Sequence, residues 1–149
     1  MATTSDKSSN EAQIRRLLDD RLKAIHTKEP GGAMASSARD ILLFDLAPPL
    51  QHRGADVNRK GLEDWFSTFT GPVGYELRDL SITAGDDAAF AHSLARISGG
   101  RTDGTNTDVW VRATVCLRKI GGQWTITHEH GSVPFEMAPP FKASLHLKP

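Results

Sequence analysis

From residue 73 to residue 133 the chain reads as strand after strand, and that run constrains the fold more than anything else in it. Four segments, about 73–84, 88–98, 107–119 and 123–133, have strand length and strand-like composition. Gly85-Asp86-Asp87, the loop from Gly99 to Gly104, and Gly121-Gly122 separate them. These are residue types that suit tight reversals. Connections this short join antiparallel neighbours, because a parallel pair needs a crossover of a dozen residues or more. The four segments therefore form a meander.

What precedes the meander is mainly helical. Residues 1–8, MATTSDKS, are small and polar and read as a disordered N-terminus. Two overlapping cap signals, Ser8 to Glu11 and Asn10 to Gln13, then start a helix. Ile14, Leu17, Leu18, Leu22 and Ile25 keep the spacing of one helix face, and Pro30-Gly31-Gly32 ends it. The alanine- and serine-rich piece from Ala33 to Arg39 suits a short helical turn or two. Ile41 to Leu46 reads as a short strand stopped by Pro48-Pro49. A further helix carries Leu62, Trp65, Phe66 and Phe69 on one face and stops at Thr70-Gly71-Pro72. Residues 134–149, with Pro139-Pro140, read as an irregular C-terminal arm. Two or three helices followed by a four- or five-stranded antiparallel meander make a single α+β domain over 1–149. A sheet that curves around helices encloses a cone with an open mouth, the natural place for a small-molecule site.

Composition removes several functions. Lys plus Arg equals Asp plus Glu at 18 each, for a net charge of zero, so neither nucleic acid nor an anionic membrane is an expected partner. The single cysteine, Cys116, permits no intramolecular disulfide and suits a reducing compartment. No apolar run approaches the roughly 18 residues of a membrane helix, and the first residues lack a secretory pattern. The expectation is a cytoplasmic protein. No Gly-rich phosphate loop or serine elbow occurs, and the one pair with zinc spacing is His128-x-His130, which Asp45 could join as a third ligand; no cofactor and no metal are expected.

The chemistry concentrates at strand ends. In Trp124-Thr-Ile-Thr-His-Glu-His-Gly-Ser132, alternation puts Trp124, Ile126, His128, His130 and Ser132 on one face. That face passes from apolar to titratable, as a strand does when it runs from core into cavity, and imidazole suits proton transfer near neutral pH. Asp45 follows Ile41 and Leu43 on their face; it is either a desolvated base or a turn cap. His92 shares an apolar row with Phe90 and Leu94. Arg112 stands between Trp110 and Thr114, where a guanidinium can clamp an oxygen or pair structurally. A two-residue turn at Gly121-Gly122 sets His128 opposite Val115 and His130 opposite Ala113, with Arg112 on the other face. A one-residue shift brings Arg112 onto the histidine face. Both registers are open from the residues alone.

Phe44-Asp45-Leu46-Ala47-Pro48-Pro49-Leu50 and Trp124-Thr-Ile-Thr-His-Glu-His-Gly-Ser-Val-Pro134, in this order of helices and strands, resemble the SnoaL-like branch of the nuclear transport factor 2-like superfamily. The likeness spans about residues 9–135. It implies a cone-shaped curved antiparallel sheet around the N-terminal helices, and a homodimer formed through the outer sheet face. It also implies a pocket lined by Asp45, Trp65, His92, Trp110, Arg112, His128 and His130. Steroid isomerases of this superfamily keep an aspartate base near the position of Asp45. The only tyrosine here, Tyr75, lies on a strand rather than the first helix, so the set fits the polyketide-cyclase relatives better. The implied function is binding of a small carbonyl- or carboxylate-bearing molecule, with cofactor-independent proton transfer of isomerase or lyase type. Asp45 or His128 is then the base, Arg112 or His92 polarises the oxygen, and Trp65, Trp110 and His130 contact the substrate. The alternative is a non-catalytic ligand-binding or dimerisation module of the same fold.

Overall fold

The computed structural model describes residues 3–149. Helix α1 runs Thr4–His26 and begins ahead of both expected cap signals. Thr3 is the N-cap: its hydroxyl accepts from the Asp6 amide at 3.2 Å, and the Asp6 carboxylate accepts from the Thr3 amide at 3.3 Å. This reciprocal pair satisfies two orphan donors, so residues 4–8 are helical rather than frayed. Met1 and Ala2 lie outside the described residues. Asn10, expected as a cap, has a tertiary role. It is buried, donates to the Gly85 carbonyl at 3.1 Å and accepts from Lys119 Nζ at 3.1 Å.

The second helix, α2, is the single turn Pro30–Ala33. The expected helical piece over 33–39 is displaced, because Pro30 can open a helix at its first position while Ser37 already enters a strand. Strand β1 spans Ser37–Phe44 and β2 is only His52–Arg53; α3 then covers Ala55–Ser67. The meander follows as β3 (Gly74–Ala84), β4 (Ala88–Gly100), β5 (Asn106–Ile120) and β6 (Gln123–Ser132), close to the expected bounds. No helix or strand is assigned after Ser132; an isolated bridge joins Phe135 to Ala143.

The sheet has six strands in the order β2-β1-β6-β5-β4-β3. It departs from a pure antiparallel meander in one pairing: β1 lies parallel to β6. Everything from β2 to β5 forms the long connection that a parallel pair requires. Two apolar clusters fill the inner face. The first joins Ile14 and Leu18 of α1 to Ile41, Ala91, Val115, Leu117, Trp124 and Ile126. The second joins Ala24, Ile25, Phe66, Phe69 and Val73 to Ala95, Ile97 and Val111. Gly99 serves the second cluster: a Cβ there would stand 2.9 Å from the Phe69 ring, so only glycine lets α3's end close on β4.

Gly121 and Gly122 have φ of 57° and 79°, the left-handed pair of a two-residue hairpin turn. Pairing starts at Ile120↔Gln123 and runs to Leu117↔Ile126. Thr127 is then an extra residue, a β-bulge, and beyond it Cys116 faces His128, Thr114 faces His130, and Arg112 faces Ser132. The turn has two residues and the register still shifts by one. This shift decides which face each titratable group occupies.

Candidate functional site

Arg112, Thr114, Cys116, His128, His130 and Ser132 share one face of the β5–β6 ladder beyond the bulge. It is not the core face, which carries Val111, Val115 and Leu117. His92 pairs with Thr114 and joins the same outer face, as does Trp110 through its pairing with Arg96. His92, Arg112 and His130 are exposed. Arg112 Nε donates to the Ser132 hydroxyl at 3.1 Å. His128 Nδ1 lies 2.8 Å from the Leu42 carbonyl, to which its N–H donates, and its ring meets Phe44 edge-on at 4.7 Å. Phe44 meets His130 in the same way at 5.4 Å.

Five of the seven expected pocket residues are therefore on the outside of the cone. The arrangement corrects the alternation-based expectation that His128 and His130 continue the face of Trp124 and Ile126. Thr127 absorbs half a pleat, so the residue that continues the inner row is Glu129. Trp65 stands on the helix side, and Asp45, just past the end of β1, lies close enough for its charge to act on the Tyr75 phenol. Asp45 lies two residues past the core-packed Leu43, is exposed, and accepts from the Leu46 amide at 2.7 Å, as a turn cap does. Trp65 packs on Phe66 and Phe69 at the second cluster.

The inner face instead presents a set not expected from the sequence. Glu129 pairs with Arg21 of α1, and the two side chains keep only 17% and 20% of their exposure. Arg21 stands between the clusters, after Leu18 of the first and before Ala24 and Ile25 of the second. Burial alone would lower the Arg21 guanidinium, but the Glu129 charge, with a smaller contribution from Tyr75, more than offsets it and leaves it above the usual arginine value. Burial pushes the Tyr75 phenol up, Arg21 pulls it partly back, and the Glu129 and Asp45 charges push it up again. The phenol is thus a protonated donor at neutral pH. Arg21 Nε is buried without a hydrogen-bond partner, a loss of about 1–3 kcal/mol for any buried donor left bare.

The cross-strand row beside Glu129 is made of small residues. Ser93, Ala113 and Gly131 align across β4, β5 and β6 between the rows of Val115 and Val111. A Cβ at Gly131 would meet nothing closer than the Leu46 side chain at 3.9 Å. Arg21, Tyr75 and Glu129 act on one another electrostatically on this same face. A guanidinium donor and a phenol donor on a face shielded from water can hold an acceptor oxygen and the charge that develops on it. No cluster of three or more His, Cys, Asp or Glu side chains able to hold a metal ion occurs among the described residues. No helix among them is long and apolar enough to cross a membrane.

One signal for this set was legible. Arg21 is i+3 from Leu18, i+4 from Leu17 and i−4 from Ile25, so a charge sits inside the apolar stripe of α1. Glu129 carried no such signal, because its inward direction depends on the bulge.

Residues 14–136 match the SnoaL-like domain family. Among solved structures, a nuclear transport factor 2-like protein of unknown function from Pseudomonas putida KT2440 shares 36% identity. That match covers 95% of this chain and 98% of the other, with a TM-score of 0.86. A candidate scytalone dehydratase from Novosphingobium aromaticivorans shares 16% identity over 98% and 100% of the two chains, with a TM-score of 0.79. The association domain of C. elegans CaMKII shares 16% over 87% and 99%, with a TM-score of 0.67; the last two likenesses concern the fold alone. No curated protein matches the chain in sequence. With the family matched across most of its length and the curved, unclosed sheet wrapped on its helices, the chain belongs to the SnoaL-like branch of the nuclear transport factor 2-like superfamily.

Proposed function

We propose that the inner face of the cone binds a small molecule through a carbonyl or carboxylate oxygen, held by the spare Arg21 Nε–H and the Tyr75 hydroxyl. The observation that carries this reading is the buried, unpartnered Arg21 Nε beside a phenol kept protonated. An acceptor oxygen from a ligand supplies what the folded chain leaves unsatisfied.

For turnover, the reading is proton transfer next to a carbonyl, of isomerase or lyase type. Asp45, whose charge acts on the Tyr75 phenol and which is unpaired with any cation among the described residues, takes the proton from carbon. The electron pair moves onto the carbonyl oxygen, where Arg21 and Tyr75 receive the charge. The proton then returns to a different carbon, or a β-hydroxyl departs as water with it. The neighbour described as a candidate scytalone dehydratase is compatible with such chemistry in this fold. Glu129, already paired with Arg21, positions the guanidinium. That same pairing favours the second reading, a binding module without turnover, because the carboxylate beside the two donors is already engaged by Arg21.

The outer sheet face, with Phe90 45% exposed beside His92 and Leu94, is the contact surface of a cytoplasmic homodimer in this reading.

A thermal-shift panel of small carboxylates, aromatic ketones and polyketide-like acids tests the site. A ligand at 100 times its Kd stabilises by about 2.7 kcal/mol. Tyr75→Phe should weaken the response, whereas Asp45→Asn should keep it and stop deuterium exchange at the ligand's α-carbon. A response identical in Tyr75→Phe and Arg21→Lys sinks the proposal. Size-exclusion chromatography with light scattering tests the dimer; a monomer at micromolar concentration refutes that part.

A further inference from the structure

Beyond β6 the chain forms a short hairpin and a tail. The Ser144 amide donates to the Pro134 carbonyl at 2.7 Å, the Glu136 amide to the Lys142 carbonyl at 2.8 Å, and the Phe141 amide to the Ala138 carbonyl at 2.9 Å. Phe135 faces Ala143 in this register. Ser144 is buried at the foot of the hairpin, whereas the large apolar side chains above it are in water. Phe135 and Met137, two residues apart and so on one side of their segment, keep 54% and 82% of their exposure. Phe141, across the turn, keeps 54%, and Leu145 and Leu147 in the tail are exposed as well. Phe141 also holds φ at 58°, a left-handed conformation that a bulky side chain rarely takes.

Of the ten large apolar side chains left exposed among the described residues, five therefore lie in this arm. Phe90 and Ile120 are the exposed large apolar residues of the meander strands, where Arg112, His92 and His130 are exposed too. A homodimer contact is richer in apolar surface than that. The tail brings the arm to the same outer face. Lys148 and Pro149 line a cavity with Arg78, Arg96, Asp108 and Trp110, and the Arg96↔Trp110 pair stands two residues along the ladder from Leu94↔Arg112. A second copy laid on the outer face meets the arm.

We infer that the arm grips a second copy of this chain: Phe135, Met137 and Phe141 pack against the partner at the edge of the homodimer contact on the outer sheet face, a reading on which this inference rests. A two-fold dimer uses each such patch twice, and an apolar patch needs no charged partner to be complementary to its own copy. A segment that lies on an anionic membrane carries Lys or Arg beside its apolar groups. Between Phe135 and Phe141 the one charge is acidic, Glu136.

Sedimentation velocity of the whole chain across a dilution series gives the dimer Kd. The triple variant Phe135→Ser, Met137→Ser, Phe141→Ser alters exposed side chains and should keep the parent's circular dichroism, while its dimer Kd rises about a hundredfold or more. A Kd within about threefold of the parent's overturns the inference. A second measurement needs no variant fold. In dimers mixed from carbon-13 methionine-labelled and unlabelled chains, the Met137 methyl, assigned by its loss in Met137→Leu, should give cross-peaks to protons of the unlabelled copy. Their absence in a sample that sediments as a dimer overturns the inference as well. So does a monomer whose Met137 signal shifts with phosphatidylcholine vesicles, because a lipid surface is then the occupant. A dimer weakened by Phe90→Ser but not by the triple variant refutes the arm alone, whereas a parent that never dimerises refutes the outer-face contact with it.

Discussion

The two faces of one sheet carry similar chemistry under opposite conditions. On the outer face, Arg112, His92 and His130 are exposed, and Arg112 makes a single 3.1 Å hydrogen bond to Ser132. On the inner face, Arg21 and Glu129 form a pair that keeps about a fifth of its exposure, beside a desolvated phenol. Water screens the first set and leaves each group nearly independent. Little water reaches the second, so each group's state depends on its neighbours. Titratable residues alone do not mark a site; the medium around them does.

The comparison breaks most sharply at Glu129. Glu129→Ala leaves the Arg21 guanidinium buried without a counter-charge, and destabilisation of about 3 kcal/mol is expected in urea unfolding. A loss below about 1 kcal/mol would mean that water already serves the guanidinium and that the inner face is wetter than argued. Asn10→Ala comes next. It removes the buried amide that joins Gly85 O to Lys119 Nζ, and about 1–2 kcal/mol should be lost in the same assay.

Tyr75 sharpens the contrast through pH. Burial holds its phenol above the usual value of about 10. A group whose folded value exceeds its unfolded one contributes stability that is complete below about pH 10 and lost as pH rises through the folded value. Thermal unfolding of Tyr75→Phe should therefore decline less steeply above about pH 10 than that of the parent. Tyr75 is the only tyrosine in the chain, so the near-ultraviolet phenolate band reports it directly; a midpoint at the ordinary tyrosine value would contradict its burial. The smallest effect belongs to the outer face: Arg112→Ala should change stability by about 0.5 kcal/mol or less. A larger loss in a concentration-dependent melt would show that a second copy buries Arg112.

Much of the architecture was legible. The meander's strand bounds follow from alternation and from glycine-rich breaks, and both helices that pack on it announce their apolar faces. The start of α1 was missed because Thr3 with Asp6 makes a capping box among residues whose composition reads as disorder. The parallel placement of β1 against β6 was missed because eight residues of strand carry no signal for the partner they will choose. His128 and His130 were read on the inner side of β6 because alternation assumes that no residue is added to the pleat, and Thr127 is such an addition.

By itself, the sequence determined the two long helices, the four meander strands, their order and the family, because periodicity and turn chemistry are local properties that survive any packing. Which titratable groups face the helices was decided only by the tertiary structure. A bulge is stabilised by curvature of the whole sheet, and one inserted residue exchanges inside for outside over every position beyond it. Burial, which turns Arg21, Tyr75 and Glu129 into a coupled set, arises only when helix and sheet close on each other and exclude water.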